Sequence, residues 1–228
     1  MAIPACREAG GTKLGLQAAS LAHNLAVSPV GQYPPFVPPG DLASVDSADW
    51  SKRQAALYLA WVQQQIVPRT DYLLGFLGVD PTLSHREILV EAGRAVQALL
   101  SDPSIMMASR GEEEILLLGR HAFVDSGPQL TSAGLGLTAD MGLLTARMLL
   151  ADHPGWQWEI GNGPRRAAWR NLPVLAVRGE QSLDPVLVST SNAYGLARGD
   201  RPAGRTLTSD AWAELYDHCR AIDSGQPS

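Results

Sequence analysis

The stretch from Ser132 to Asp152 constrains this chain most. It reads SAGLGLTADMGLLTARMLLAD. Leu137, Met141, Leu144, Met148 and Ala151 or Asp152 recur at spacings of three and four, which predicts a helix. Leu143, Leu149 and Leu150 widen the apolar sector well beyond one stripe. A helix apolar on most sides is buried. Gly134, Gly136 and Gly142 each cost roughly 1 kcal/mol of helix propensity relative to Ala. Gly142 is therefore expected to admit another backbone at close range.

The chain after Asp152 is expected to close over that helix. His153-Pro154-Gly155 stops it. Trp156-Gln157-Trp158 alternates by two, so both indoles lie on one face of a strand. Gly161 to Pro164 forms a turn, and Arg165–Trp169 is a candidate return strand. Pro173–Val177 is a compact apolar strand. Gly179–Ser182 turns, Asp184-Pro185 leads into Val186–Val188, and Tyr194-Gly195 and Gly199–Gly204 are loop.

The chain before the central helix is mainly helical. Pro29, Pro34, Pro35, Pro38 and Pro39 make residues 28–49 extended, because proline neither donates to a ladder nor continues a helix. Tyr33 and Phe36 sit among them and favour an arm that wraps its own core. Ser47–Val67 predicts a helix capped by Ser47 or Asp49, with Leu57, Tyr58, Trp61, Val62 and Ile66 as its stripe. Pro68 marks an end or a kink, Arg69–Leu77 a second helical segment, and Gly78 its stop. Ser84-x-x-Glu87 fits a capping box and opens a helix to Leu100. In that helix Ile88, Ala92, Ala95 and Leu99 form one face. The last helix, Ser209–Ile222, turns Trp212, Leu215, Tyr216 and Cys219 inward. Residues 104–131 read least clearly and look like an insertion.

The expected fold is α+β. N-terminal helices pack on a small, mostly antiparallel sheet, with the central helix buried between them. Residues 1–46 form an arm and 47–228 a single domain. The chain has 228 residues and is 45% hydrophobic, enough for one sizeable core.

Catalytic signatures are missing. The chain contains no G-x-S-x-G, no G-x-x-x-x-G-K-[ST], no G-x-G-x-x-G and no H-E-x-x-H. His121, Asp125 and Ser126 lie close in sequence but lack a strand–turn–helix frame, so a polar loop is the plainer reading. Cys6 and Cys219 show no metal-ligand spacing, and no cofactor or metal site is expected. The net charge of −5 argues against nucleic acid. No secretory leader or membrane-length apolar run is visible, which points by default to the cytoplasm.

Two charged clusters are candidate binding residues. Glu112, Glu113 and Glu114 are either a solvated face or a contact for a basic protein partner. Arg165 and Arg166, with Arg170 nearby, form the basic cluster.

Several short motifs recur together. They are Ala55-x-x-Tyr58-x-x-Trp61, the helix start at Ser84, and L-G-L-T-A-D-M-G-L-L at 135–144. H-P-G-W-x-W at 153–158, N-x-P-V-L at 171–175 and D-P-V at 184–186 come after them. Across residues 50–190 this resembles poorly characterised bacterial α+β proteins, some similar to immunity or accessory proteins of toxin systems. The pattern departs at 104–131, and none of its motifs is catalytic. The resemblance implies a non-catalytic intracellular protein that binds another protein, such as an immunity protein occluding a toxin. An enzyme of another class and a structural subunit of a larger assembly are the alternatives.

Overall fold

A computed structural model describes residues 29–40, 42, 46–100, 102, 105–107, 129–164, 167–177, 181–198 and 207–224. Five helices carry the described fold: α1 (Lys52–Leu77), α2 (His85–Leu100), α3 (Ser132–Asp152), α4 (Pro185–Arg198) and α5 (Ala211–Asp223). Strands β1 (Met106–Met107) and β2 (Gln129–Leu130) pair antiparallel. Strands β3 (Trp156–Ile160), β4 (Pro173–Val177) and β5 (Gln181–Leu183) form a second antiparallel sheet with β4 in the middle. The α+β class expected from the sequence is the observed one.

The axis of the molecule is α3, and every residue from Ala133 to Ala146 is buried. Thr131 caps it, its hydroxyl accepting from Gly134 N. The helix meets α1, α2, α4 and α5, so helices enclose most of it and β3 touches it only lightly. Its glycines explain how so much backbone fits around it. A Cβ on Gly142 would collide with the Pro185 carbonyl at the start of α4, and one on Gly136 with the Pro34 carbonyl of the arm. Ser189 Oγ of α4 donates to Thr138 O at 2.6 Å and accepts from Trp212 Nε1 at 2.8 Å, which links α5, α4 and α3 through buried groups.

Helix α1 departs from the predicted boundaries. Ser47–Asp49 is a separate 3₁₀ turn, and Ser51 caps α1 in a capping box with Gln54. The helix then runs through Pro68 to Leu77 and stops at Gly78, whose φ of 68° is left-handed. Pro68 is tolerated because it is exposed. Its ring deprives the Gln64 carbonyl of an intrahelical donor, and Gln64 also faces out, where water can supply one. Just inside, the Thr70 hydroxyl donates to Ile66 O at 2.6 Å. In α2 the Ser84–Glu87 box forms as read, Ser84 N donating to Glu87 Oε2 at 3.0 Å. The buried stripe of α2 is Ile88, Leu89, Ala92, Gly93, Val96 and Leu100. Ala95 and Leu99 are only half-buried.

The tryptophan strand finds a different partner from the one predicted. Residues 167–170 make a turn, and β3 pairs with β4 in the register Trp156↔Val177 and Trp158↔Leu175. Asn171, at φ 60°, turns the chain into β4, and its Nδ2 donates to Ser47 O at 2.7 Å. Trp156 is buried, and its indole N–H donates to Cys219 O of α5 at 3.2 Å. All of β4 is buried. Pro185–Arg198, where the sequence predicts no helix and a loop at Tyr194-Gly195, is α4. Asp184 caps it by accepting from Leu187 N at 2.9 Å, with Pro185 in the first turn.

The two ends of the least legible segment lie side by side. Met106 pairs with Leu130 and Met107 with Gln129, and Ile105 O accepts from Thr131 N at 2.8 Å. The backbones of Met107 and Gln129 are therefore neighbours.

Candidate functional site

The binding residues expected from the sequence, Glu112, Glu113, Glu114, Arg165 and Arg166, lie outside the described residues. So do His121, Asp125, Ser126 and Cys6. Arg170 is described, and its Nη1 donates to Gly163 O at 2.9 Å within its own loop. The Cys219 thiol is buried, and burial pushes its pKa up to about 12. A thiol so placed is inert.

Three groups of side chains carry the described chemistry. The first is built on Asp140, which is fully buried in α3. Tyr33 donates its hydroxyl to Asp140 Oδ2 at 2.6 Å, and Arg69 Nε donates to Oδ1 at 2.5 Å. The same guanidinium donates to the Pro34 and Pro35 carbonyls at 3.0 and 3.2 Å and lies over the Phe36 ring at 5.2 Å. The Pro34 and Pro35 carbonyls are backbone acceptors outside any ladder, and the arginine fork supplies their donors. Burial raises the Asp140 pKa to about 6, with Arg69 and Tyr33 pulling it back. Desolvation and the adjacent carboxylate raise that of Tyr33. Both carboxylate oxygens are engaged and no water-facing edge remains. The cluster fastens the arm into the groove between α1 and α3.

The second group sits where α2, α3 and α5 meet. Asp152 Oδ2 accepts from Tyr216 Oη at 2.5 Å and lies 2.8 Å from His85 Nδ1. His153 and Asp223 approach to 3.6 Å beside it. The hydrogen bond from Tyr216, with the histidines, holds the Asp152 pKa below its ordinary value, while burial and Asp152 push Tyr216 up to about 12. A histidine oriented by a carboxylate is half of an acid–base pair. Here the pair sits at a helix junction on the surface, with no described nucleophile beside it. No three described His, Cys, Asp or Glu residues are placed to hold a metal ion.

The third is the outward face of α1. Its inward face is Ala55, Tyr58, Val62, Thr70, Leu73 and Leu74, all buried. Opposite it, Leu57, Trp61, Gln64, Pro68, Tyr72 and Gly75 recur at spacings of three and four, each exposed or half-buried. Leu57 is 56% exposed, Val67 54% and Tyr72 48%. No charged residue occurs between Arg53 and Arg69, although Ala56, Leu57, Ala60, Gln63, Gln64, Val67 and Pro68 all face out. Leu57, read as part of the core stripe, belongs to this outer seam. The arm flanks it: Tyr33 meets Tyr72 and Phe76 edge-on at 5.4 and 5.0 Å, and Phe36 packs on Trp61 at 5.1 Å. Val37 is 40% exposed beside Phe36.

Sequence reasoning missed this face, although the signal was present. A charge-free helical run with apolar residues at both phases has two faces to cover. Among the described residues no helix is long and apolar enough to cross a membrane. No protein-family model, curated protein or solved structure matches the chain.

Proposed function

We propose that this chain is a non-catalytic protein-binding protein, and that it seats an amphipathic helix of its partner along the outward face of α1. The observation that carries this reading is the uncharged exposed surface from Gln54 to Pro68. Interface centres are depleted of charge and enriched in aromatic residues, and Tyr72 and Trp61 lie on this seam. Ala56 and Ala60, one turn apart, leave room for a second helix axis at close range. The arm and Arg69 hold the seam from behind, so little ordering is needed on binding. The acid–base groups around Asp140 and Asp152 serve helix junctions, which supports binding over catalysis. The narrower form, an immunity protein that occludes a toxin, rests on the sequence resemblance alone.

Site-specific photo-crosslinking in native lysate tests this. A benzophenone side chain at Leu57 is expected to capture a protein of different sequence. The same probe at Glu91, exposed on α2, is expected to capture none, and Ala60→Arg is expected to abolish capture while the fold persists by circular dichroism. Equal capture at both sites, or a crosslink joining two copies of this chain, overturns the reading. The captured protein's identity decides whether it is a toxin.

A further inference from the structure

A small cavity lies between α1, the tryptophan sheet and the start of α4, lined by Tyr58, Val62, Trp158, Pro173, Asp184 and Val186 among others. Its interior has room for about one water molecule. Two lining groups are polar atoms without a partner. Asp184, only 7% exposed, uses one carboxylate oxygen to cap α4, and its Oδ2 is buried with no hydrogen bond. The Trp158 indole nitrogen is likewise buried and unpaired. The two do not bond to each other.

Leaving such groups dry is costly, more so where the group is charged. Their chemistry fixes what can sit between them. An indole N–H only donates, and a carboxylate only accepts. A cation would meet the N–H, an anion would meet the carboxylate, and a carbonyl could not donate to Asp184. A hydroxyl accepts from one and donates to the other. Around it, Tyr58, Val62, Pro173 and Val186 close a space the size of one water molecule, which leaves no room for a carbon.

We propose that this cavity is a water site, in which one buried water molecule bridges Trp158 Nε1 and Asp184 Oδ2. Burial lifts the Asp184 pKa to about 6, so near neutral pH the carboxylate is mostly ionised and accepts. The site stands independently of the face proposed on α1.

A high-resolution crystal structure of the full chain tests this directly. One oxygen within about 2.7–3.2 Å of both atoms is expected. An empty cavity, or Trp158 Nε1 bonded to a protein atom, overturns the proposal. In solution, one of the six tryptophan indole protons is expected to show a cross-peak to long-lived water that Trp158→Phe removes. Asp184→Ala is expected to abolish the cross-peak while the Trp158 indole signal persists. A cross-peak unchanged by Asp184→Ala also overturns the proposal.

Discussion

Asp140 is the residue on which the arm depends. It is a carboxylate inside the most apolar helix of the chain, and only Arg69 and Tyr33 make that tolerable. Removing one partner of a buried pair typically costs about 3–5 kcal/mol, because the remaining charge is stranded. Arg69→Ala is therefore expected to lose stability of that order in urea titrations. Without the guanidinium the Asp140 pKa climbs further, so the loss is expected to be larger at pH 8 than at pH 5. Asp184 gives a second test. Its folded pKa of about 6 lies above the ordinary carboxylate value of 3.8. Its contribution is then fully present below about pH 4 and is lost as pH rises through 6. Asp184→Asn keeps a capping oxygen and removes the charge. It is expected to flatten the stability–pH curve between pH 4 and 7 by on the order of 2–3 kcal/mol. Asp140 was not singled out from the sequence, although an acid in the apolar run Thr138 to Leu144 needs a partner. That its partners sit at 33 and 69 was not legible, because pairing across the groove is set by tertiary packing rather than by local spacing.

At the scale of elements, glycine position separates close packing from mere tolerance. Gly142 and Gly75 both lie inside helices, but a Cβ at Gly142 would strike the Pro185 backbone and one at Gly75 meets nothing within 4 Å. Gly142→Ala is expected to destabilise by about 2 kcal/mol or more, since α4 must move as a unit. Gly75→Ala is expected to stabilise by about 0.5–1 kcal/mol through helix propensity. Thermal or urea denaturation of the two variants checks both signs. The role of Gly142, the limits of α3 and the Ser84 capping box were readable because each rests on local chemistry. Helix α4 was not. Its Val186, Val188, Thr190 and Asn192 are weak helix formers, and packing on α3 overrides them. The Asp184-Pro185 pair was the available cue, an N-cap followed by a first-turn proline. Pro68 misled for a related reason: a proline on the wet face of a helix interrupts one bond and leaves the packing intact.

For the whole molecule, the expected layering holds in class and shifts in detail. Helices, more than the sheet, enclose α3, and the sheet covers the flank shared with α1. Two apolar clusters result, one around α2, α3 and α5 and one between the arm, α1 and the sheet, with Trp158 packed against both. The charged runs at 112–114 and 165–166 lie outside the described residues, and a run of charge in the sequence fixes neither packing nor place. The binding proposed for α1 requires that its outer seam be displayed by a platform that stays folded, and α3 is the member that ties the platform together. Amide hydrogen exchange on the intact chain measures this directly. The amides of Leu137 to Leu149 are expected to exchange slowest of all, and only through global unfolding. Faster exchange there than in α2 or α5 contradicts α3 as the buried axis.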